Sequence, residues 1–181
     1  AMAVMDPLKV VVTNWDRGPL AIKVPWHPKR PELGSRTVFF GQELYIDRLD
    51  FELYPPDGFF RLVPGGSVRL KYGFIVDFED AVLDEKGGVK EVHVRYDPET
   101  RSGQDQSGRR VKGTIHWVYA ESAQEVDVRL YDRMFTVPDP GNYEDPSSVI
   151  NPMSLTLGTA QVEPALGCLM PEIFFQFERV G

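Results

Sequence analysis

Three cations, Arg109, Arg110 and Lys112, form the densest basic cluster of the chain. They directly precede the strand-like segment Gly-Thr-Ile-His-Trp-Val at Gly113–Val118. Lysine and arginine at this density bind phosphate groups, which position a nucleic-acid backbone without reading its sequence. The charged rim of a hairpin would have the same composition, because charged side chains are mostly exposed. The cluster therefore predicts either phosphate contacts or a solvated hairpin rim.

Arginine and glutamine side chains have the hydrogen-bonding groups needed to read the edges of bases, and the chain carries such side chains at Arg61, Arg69, Gln176 and Arg179 among other positions. The arginine fork donates two parallel hydrogen bonds to an acceptor pair such as guanine O6 and N7. Glutamine offers a donor and an acceptor together, which suits a uracil edge. Unstacked single-stranded bases are recognised through such bonds. Taken alone, however, each arginine is more typical of a solvated strand face.

Period-two alternation dominates the elements that must position these side chains. Val68, Leu70 and Tyr72 share one strand face, while Arg69 and Lys71 lie on the other. The same alternation predicts strands around residues 91–96, 111–119 and 125–130. Further strands are predicted at Lys9–Thr13, Leu20–Val24, Thr37–Phe40, Glu43–Asp47, Phe74–Phe78, Leu155–Val162 and Ile173–Glu178. Short helical turns are predicted at Asp47–Glu52 and Ser147–Asn151. Many short strands separated by Pro- and Gly-rich turns indicate an all-β sandwich or barrel.

The composition allows a packed core and limits the kind of partner. The 181 residues are 42% hydrophobic and 12% aromatic, enough for one domain or two small ones. The net charge is −7 and the isoelectric point is about 5.0, which argues against a non-specific nucleic-acid binder. A local basic groove is compatible with this charge, because phosphate contacts depend on where the cations lie.

Several classes of chemistry are excluded by residues that the sequence lacks. The single cysteine, Cys168, permits neither an intrachain disulfide nor a thiolate metal site, and it fits a reducing cytosol. The three histidines, His27, His93 and His116, show no metal-ligand spacing. The segment Pro64-Gly65-Gly66-Ser67 lacks the spacing and the lysine of a phosphate loop. We therefore predict no metal and no cofactor in this chain.

Four strings identify a family: Gly34-Ser35-Arg36, the segment Arg109–Val118, Arg129–Arg133 and Phe175–Arg179. On these strings the chain resembles, from Ala1 to Gly181, the C-terminal anticodon-binding region of bacterial-type glutaminyl-tRNA synthetases. The resemblance implies an all-β fold of two antiparallel β-barrels with few short helices. It places a distal barrel at residues 25–110. A proximal barrel would combine residues 1–24 with residues 111–181 and would lack its C-terminal strands.

The same resemblance implies roles for individual residues. Arg69 corresponds to the family arginine at the first anticodon base, and Arg61 corresponds to the arginine at the third. Gln176 corresponds to the glutamine at the middle uridine, with Arg179 nearby. For contacts with the tRNA backbone the candidates are Arg36, Arg109, Arg110 and Lys112. Arg36 has an alternative role as a loop-fixing hydrogen-bond donor, which we favour. Trp117 and Tyr131 are expected in the core rather than as stacking platforms.

The catalytic signatures of class I synthetases are absent from the chain. Neither a His-x-Gly-His motif nor a Lys-Met-Ser-Lys-Ser loop occurs, so we expect no catalytic residue here. ATP and Mg²⁺ would belong to the parent enzyme, which joins glutamine to its tRNA. We expect an excised fragment, without the family arginine that precedes the Ala-Met-Ala-Val string and without the strands that follow Arg179. Gly58 and Phe60 depart from members that carry glutamine and lysine there, and Phe39 replaces a proline.

The resemblance also implies partners and location. We expect a cytoplasmic monomer that binds the anticodon loop of tRNA(Gln) and contacts its own catalytic domain, with no membrane association. One alternative is the corresponding region of a related glutamyl-tRNA synthetase, which shares the barrel architecture. The other is a β-barrel interaction module with no role in RNA binding, which the net charge of −7 slightly favours.

Overall fold

Short β-strands make up most of the regular structure in the computed structural model, which describes residues 1–167, 169–170 and 172–179. The described strands are β1 (Ala3–Val4), β2 (Pro7–Val12), β3 (Leu20–Pro25), β4 (Ser35–Phe40), β5 (Glu43–Asp47), β6 (Ser67–Leu70), β7 (Ile75–Leu83), β8 (Val89–Tyr96), β9 (Thr114–Ile115), β10 (Val118–Tyr119), β11 (Gln124–Tyr131) and β12 (Leu155–Val162). Short 3-10 helices lie at Pro31–Leu33, Arg48–Asp50, Pro98–Thr100, Pro140–Asn142, Pro146–Val149 and Pro164–Leu166. The all-β prediction is confirmed, and the two predicted helical turns correspond to Arg48–Asp50 and Pro146–Val149. None of the described helices has the length and apolar character that crossing a bilayer requires.

The described strands form three sheets. The largest has seven strands in the order β10-β5-β2-β8-β7-β6-β9. Strands β1, β12 and β11 form a second sheet in that order, and β3 pairs with β4 in a hairpin. Neighbouring strands are antiparallel, except that β2–β8 and β6–β9 are parallel. Parallel neighbours need a long connection, and the chain supplies one in each case.

The seven-stranded sheet curls into a barrel because its two edges are joined by a very short connection. β9 lies at one edge and β10 at the other, yet only residues 116 and 117 separate them in the chain. Two residues span about 10 Å at most. The edges must therefore lie side by side, which leaves the sheet rolled rather than open. This closure fits the predicted β-barrel fold.

An aromatic cluster fills the inside of this barrel. Trp117 and Phe74 both pack edge-on against Phe40, with ring centroids 5.3 and 5.1 Å apart. Trp15 and Tyr96 extend the cluster. Such pairs contribute about 0.5–1.5 kcal/mol each beyond the burial of their surface. Trp117 is fully buried, so the prediction that it is a core residue is confirmed.

The segment 111–119 differs from the single alternating strand predicted for it. Residues 115–119 are all buried, and the regular structure is limited to β9 and β10. Because β9 pairs with β6 and β10 pairs with β5, the segment changes partners between them. The Trp117 indole nitrogen donates to the Lys71 carbonyl oxygen at 2.9 Å. Because this segment closes the barrel by changing partners, its side chains do not alternate between buried and exposed as they would along a single strand.

Strand pairing runs across both boundaries predicted between the barrels. The seven-stranded sheet takes β2 from residues 1–24, four strands from residues 25–110, and β9 and β10 from residues 111–181. The three-stranded sheet joins β1 to β11 and β12. The division at residues 24 and 110 stays a prediction.

The hairpin of β11 and β12 extends beyond the rest of its sheet. β11 and β12 pair from Gln124 to Tyr131, whereas β1 borders β12 only at Gln161 and Val162. Tyr131 lies at the far end, opposite Leu155, and is 75% exposed. The prediction of a core position for Tyr131 is wrong, because no third strand covers this part of the described hairpin.

The strand predicted at Ile173–Glu178 is not formed. This segment has irregular backbone, and its regular contact is with Ala1. The Ala1 amino group donates to the Gln176 carbonyl oxygen, and the Glu178 amide donates to the Ala1 carbonyl oxygen, both at 2.9 Å. A single partner residue is too short for a ladder. The alternation of Phe175 and Phe177 was therefore insufficient to predict a strand.

Candidate nucleic-acid interface

Four of the predicted cations line one groove, which we call the basic groove and define by Arg61, Arg109, Arg110, Lys112 and Phe60. Its volume is about 390 Å³. The loop before β6 contributes Arg61, and the segment before β9 contributes the other three cations. Gly113 lets these segments approach closely, because a Cβ there would lie 2.0 Å from the Phe60 carbonyl oxygen.

Arg109 is anchored at the groove by two carboxylates. Its Nη2 lies 2.6 Å from Asp77 Oδ1, and its Nη1 lies 2.8 Å from Asp97 Oδ2. These hydrogen bonds raise the pKa of Arg109 further above its usual value. Asp97 also caps the 3-10 helix Pro98–Thr100 by accepting from the Glu99 amide. Arg109 thus ties β7 to the 97–108 loop, and the two negative charges of Asp77 and Asp97 more than offset its positive charge.

The hydrogen bond from Arg109 holds the pKa of Asp77 below its usual range, with further help from the Ser67 hydroxyl. A carboxyl whose folded-state pKa is lowered stabilises the protein above its unfolded pKa of about 3.9. That contribution is lost as the pH falls through the lowered folded-state value. Asp77→Asn should therefore lower the free energy of unfolding at pH 7 by less than about 1 kcal/mol, because the pair is partly exposed. The difference from the unmodified protein should shrink as the pH falls below about 4.

Urea titrations of both proteins at pH 7, 4 and 2.5 measure this difference. Asp80→Asn is the control, since Asp80 is exposed on the same strand, β7. A gap between Asp77→Asn and the unmodified protein that stays constant with pH would contradict the assignment.

Arg110 and Lys112 have side chains that reach solvent. Both residues are exposed. The Lys112 ammonium lies 4.9 Å from the centre of the Phe60 ring, a distance at which the ring face attracts a cation. These two cations remain available to a phosphate, whereas Arg109 is held by Asp77 and Asp97.

Arg69 projects from β6 toward the loop that follows β8. Its Nη1 donates to the Thr100 carbonyl oxygen at 2.7 Å, and its Nη2 donates to Asp105 at 2.5 Å. Thr100 is itself buried, and its hydroxyl accepts from the Ile75 amide at 2.8 Å. The hydrogen bond from Arg69 contributes to a lowered pKa of Asp105, after the larger effect of Ser107. Arg69 is therefore oriented by the loop and is not part of the basic groove.

Arg61 and Arg179 meet at one buried carboxylate, Asp50. Both arginines donate through Nη1 to Asp50, and the distance from Arg179 to Oδ2 is 2.5 Å. Asp50 is 0% exposed. Burial raises the pKa of the Asp50 carboxyl, while the hydrogen bond and charge of Arg179 act in the opposite direction. Two predicted recognition residues that are far apart in the chain thus share an anchor.

Gln176 and Arg179 line a second depression, the aromatic cleft, whose other defining residues are Trp26, Tyr72 and Phe174. Its volume is about 590 Å³. Gln176 is exposed and Phe174 is 97% exposed, so both have free faces. The cleft combines aromatic rings with a glutamine amide and a cation. Those are the groups that stack and hydrogen-bond an unstacked base.

Arg36 is buried beneath this cleft and paired with Glu163. Its Nε lies 2.5 Å from Glu163 Oε1, and the two side chains are 3% and 2% exposed. Nη1 donates to the Pro25 carbonyl oxygen, and the guanidinium lies 5.1 Å from the Trp26 ring centre. This geometry supports the loop-fixing role that the sequence analysis favoured over contact with RNA.

The carboxylates that orient the arginines were not predicted from the sequence. Asp50 holds Arg61 and Arg179, Asp105 holds Arg69, and Asp77 and Asp97 hold Arg109. The one available signal was the acidic excess, 27 aspartates and glutamates against 20 lysines and arginines. Part of the acidic excess is therefore used to orient arginine side chains through hydrogen bonds from them to aspartates.

Two family matches cover most of the chain. Both carry the description "tRNA synthetases class I (E and Q), anti-codon binding domain", one over residues 1–97 and the other over residues 114–181. They leave unmatched the segment that contains Asp105 and the three cations of the basic cluster.

Similar proteins are named as glutamine–tRNA ligases. That of Rhodopirellula baltica is 50% identical and covers 99% of this chain and 31% of its own length. Those of Serratia proteamaculans and Pseudomonas aeruginosa are 44% and 46% identical, and each aligns with 100% of this chain and 33% of its own length. The chain thus spans about a third of the length of these relatives. Since a family match extends over more than half of its residues, the chain belongs to the anticodon-binding domains of class I (E and Q) tRNA synthetases.

Proposed function

We propose that this chain recognises the anticodon loop of tRNA(Gln) as part of a glutamine–tRNA ligase. The observation that carries the proposal is the identity of 44–50% to enzymes of that name along essentially the whole chain. The oriented arginines are consistent with it, because base reading requires donors held in a fixed geometry.

The proposed roles follow the positions of the candidate residues. Arg69 reads the first anticodon base, Gln176 the second and Arg61 the third, with Arg179 beside Gln176. The aromatic cleft suits the middle base, since it offers exposed rings together with the Gln176 amide. Arg61 opens onto the basic groove, where the sugar-phosphate chain can follow the third base.

The parent enzyme supplies the chemistry in this proposal. ATP and Mg²⁺ bind in its catalytic domain, which attaches glutamine to the tRNA, and the anticodon-binding region contacts that domain. The enzyme acts as a monomer in the cytoplasm. Within this chain, only binding is assigned to the named residues.

Phosphate contact by the basic groove predicts a change in salt dependence. Arg110→Ala should weaken binding to all anticodon loops to a similar extent and reduce the slope of log K against log salt by about 1. The slope is measured by titration between 50 and 200 mM salt. Arg129→Ala is the matched control, because Arg129 is an exposed arginine on the β11–β12 hairpin. An unchanged slope for Arg110→Ala would show that Arg110 does not contact a phosphate.

Fluorescence-anisotropy titration with a labelled tRNA(Gln) anticodon stem-loop tests the function. A loop with the middle uridine replaced is titrated beside it, at low and moderate salt. Loss of one base-specific contact is expected to weaken binding by about 5- to 150-fold, the equivalent of about 1–3 kcal/mol. Equal binding to both loops would mean that the chain binds RNA through phosphate attraction alone, without reading the middle base. Failure to bind either loop, repeated with the full enzyme, would favour an interaction module without an RNA role.

A further inference from the structure

The Asp50 carboxylate joins two arginines from distant parts of the chain. Arg61 follows it by 11 residues and Arg179 by 129 residues. Asp50 ends the 3-10 helix Arg48–Asp50, and its side chain is fully buried. Arg61 and Arg179 are each about a third exposed, with side-chain values of 36% and 34%. Each guanidinium therefore has an anchored side and a solvent-facing side.

The anchored side uses only one nitrogen of each arginine. Nη1 of both arginines donates to Asp50, while Nε and Nη2 make no hydrogen bond to the described residues. A guanidinium has five N–H donors in a fixed plane. Fixing Nη1 of each fork therefore restricts the directions in which the remaining donors point.

Backbone contacts hold Asp50 in place relative to Arg61. The Leu62 amide donates to the Asp50 carbonyl oxygen at 3.0 Å, and the Glu52 amide donates to the Leu62 carbonyl oxygen at 3.2 Å. Phe51, between them, stacks on Phe78 with ring centroids 5.9 Å apart. The loop that carries Arg61 is thus hydrogen-bonded through Leu62 to the backbone of Asp50 and of Glu52.

Arg179 is held by the chain before it. Glu178 accepts a hydrogen bond from the Lys71 ammonium, and its amide donates to Ala1. Arg179 itself has φ of 68°, a left-handed conformation that is uncommon for residues other than glycine. Such a backbone persists where surrounding contacts over-determine it.

Stability alone is a poor explanation for burying this carboxylate between two arginines. Removing an ionised carboxylate from water costs several kcal/mol, so a buried ion pair is weak evidence for stability. Two arginines on one aspartate leave one net positive charge at the surface. A net positive charge on two oriented forks suits a ligand that is anionic and rich in acceptors.

We propose that Asp50 is a positioning residue that fixes Arg61 and Arg179 together, and thereby couples reading of the second and third anticodon bases. The inference rests on the proposed function and deepens it, since it assigns one shared determinant to two base positions. Loss of Asp50 releases both forks and leaves two like charges without their common partner. Base selectivity then falls at both positions at once.

Asp50→Asn tests this coupling, because it keeps the side-chain volume and removes the charge. The full chain is titrated with three stem-loops: the unmodified one, one with the middle base replaced and one with the third base replaced. Selectivity at both positions is expected to fall by about 5- to 150-fold. The salt slope stays unchanged, since phosphate contacts lie with Arg110 and Lys112. Asp47→Asn is the matched control, because Asp47 caps the same helix at the Leu49 amide and asparagine caps equally well.

The outcomes separate the two proposals. If the unmodified chain and the full enzyme bind all three loops equally, the proposed function fails. If the unmodified chain discriminates and Asp50→Asn discriminates as well, the coupling is overturned. Should Asp50→Asn fail to fold, Arg179→Ala takes its place and selectivity is measured at the third base, which Arg61 reads. Reduced third-base selectivity supports the shared anchor, and unchanged third-base selectivity overturns it.

Discussion

Replacing Arg36 with methionine is expected to lower the free energy of unfolding by about 3–5 kcal/mol. The reason is the charge that remains. Glu163 is 1% exposed, and its Oε2 has no hydrogen-bond partner among the described residues even when Arg36 is present. Without the guanidinium, a buried carboxylate loses its countercharge. The Pro25 carbonyl oxygen also loses its donor.

Urea unfolding at pH 7 measures this loss. The double variant Arg36→Met with Glu163→Met should regain most of the stability, because apolar residues of similar volume often replace a buried pair at little cost. Arg30→Met is the matched control: its pair with Glu32 is 60% and 61% exposed, and such pairs contribute about 0–1 kcal/mol. A loss below about 1 kcal/mol for Arg36→Met would contradict the structural role.

Arg69→Ala should relax selectivity at the first anticodon base and cost about 1–3 kcal/mol of binding free energy for the cognate loop. The arginine on β6 is oriented by the Thr100 carbonyl oxygen and by Asp105. Alanine removes the donors and leaves Asp105 on a surface loop, where water can reach its carboxylate, while the carbonyl oxygen of the buried Thr100 loses one donor. The effect should therefore appear in base reading more than in folding.

Titration with stem-loops that differ only in the first base measures the change. The unmodified protein should prefer the cognate loop, and Arg69→Ala should bind all of them with similar affinity. Arg95→Ala on β8 is the matched control, because Arg95 is 59% exposed and pairs with Glu79 on the surface. Undiminished first-base selectivity in Arg69→Ala would assign that base to another residue.

Strand positions could be predicted because alternation reports burial on a strand. Leu8, Val10 and Val12 lie inward on β2, and Val92 and Val94 lie inward on β8. The turn-rich segments likewise predicted the connections. The prediction was wrong where tertiary pairing decides the backbone: residues 115–119 are all buried, and among the described residues Ala1 alone forms backbone hydrogen bonds with Ile173–Glu178.

The site could be predicted in part. Family strings identified Arg61, Arg69, Gln176 and Arg179, and the structure brings Arg61 and Arg179 onto one anchor. Asp50 could not be predicted, because an aspartate in a short turn carries no sign that its side chain is buried. The exposure of Tyr131 was equally hidden, since alternation along β11 does not reveal whether another layer covers that end.

The pairing of β1 with β12, the first and last of the described strands, affects how this region folds during synthesis. Ala3 on β1 pairs with Val162 on β12, which is synthesised 159 residues later. At about 5–20 residues per second, β1 waits roughly 8–30 s for its partner to be translated. The parallel pair of β2 and β8 must also await distant sequence, and such non-local pairings form slowly. Until β12 emerges, the edge of β1 therefore stays unpaired, and residues near position 160 complete the sheet that residues near position 3 began.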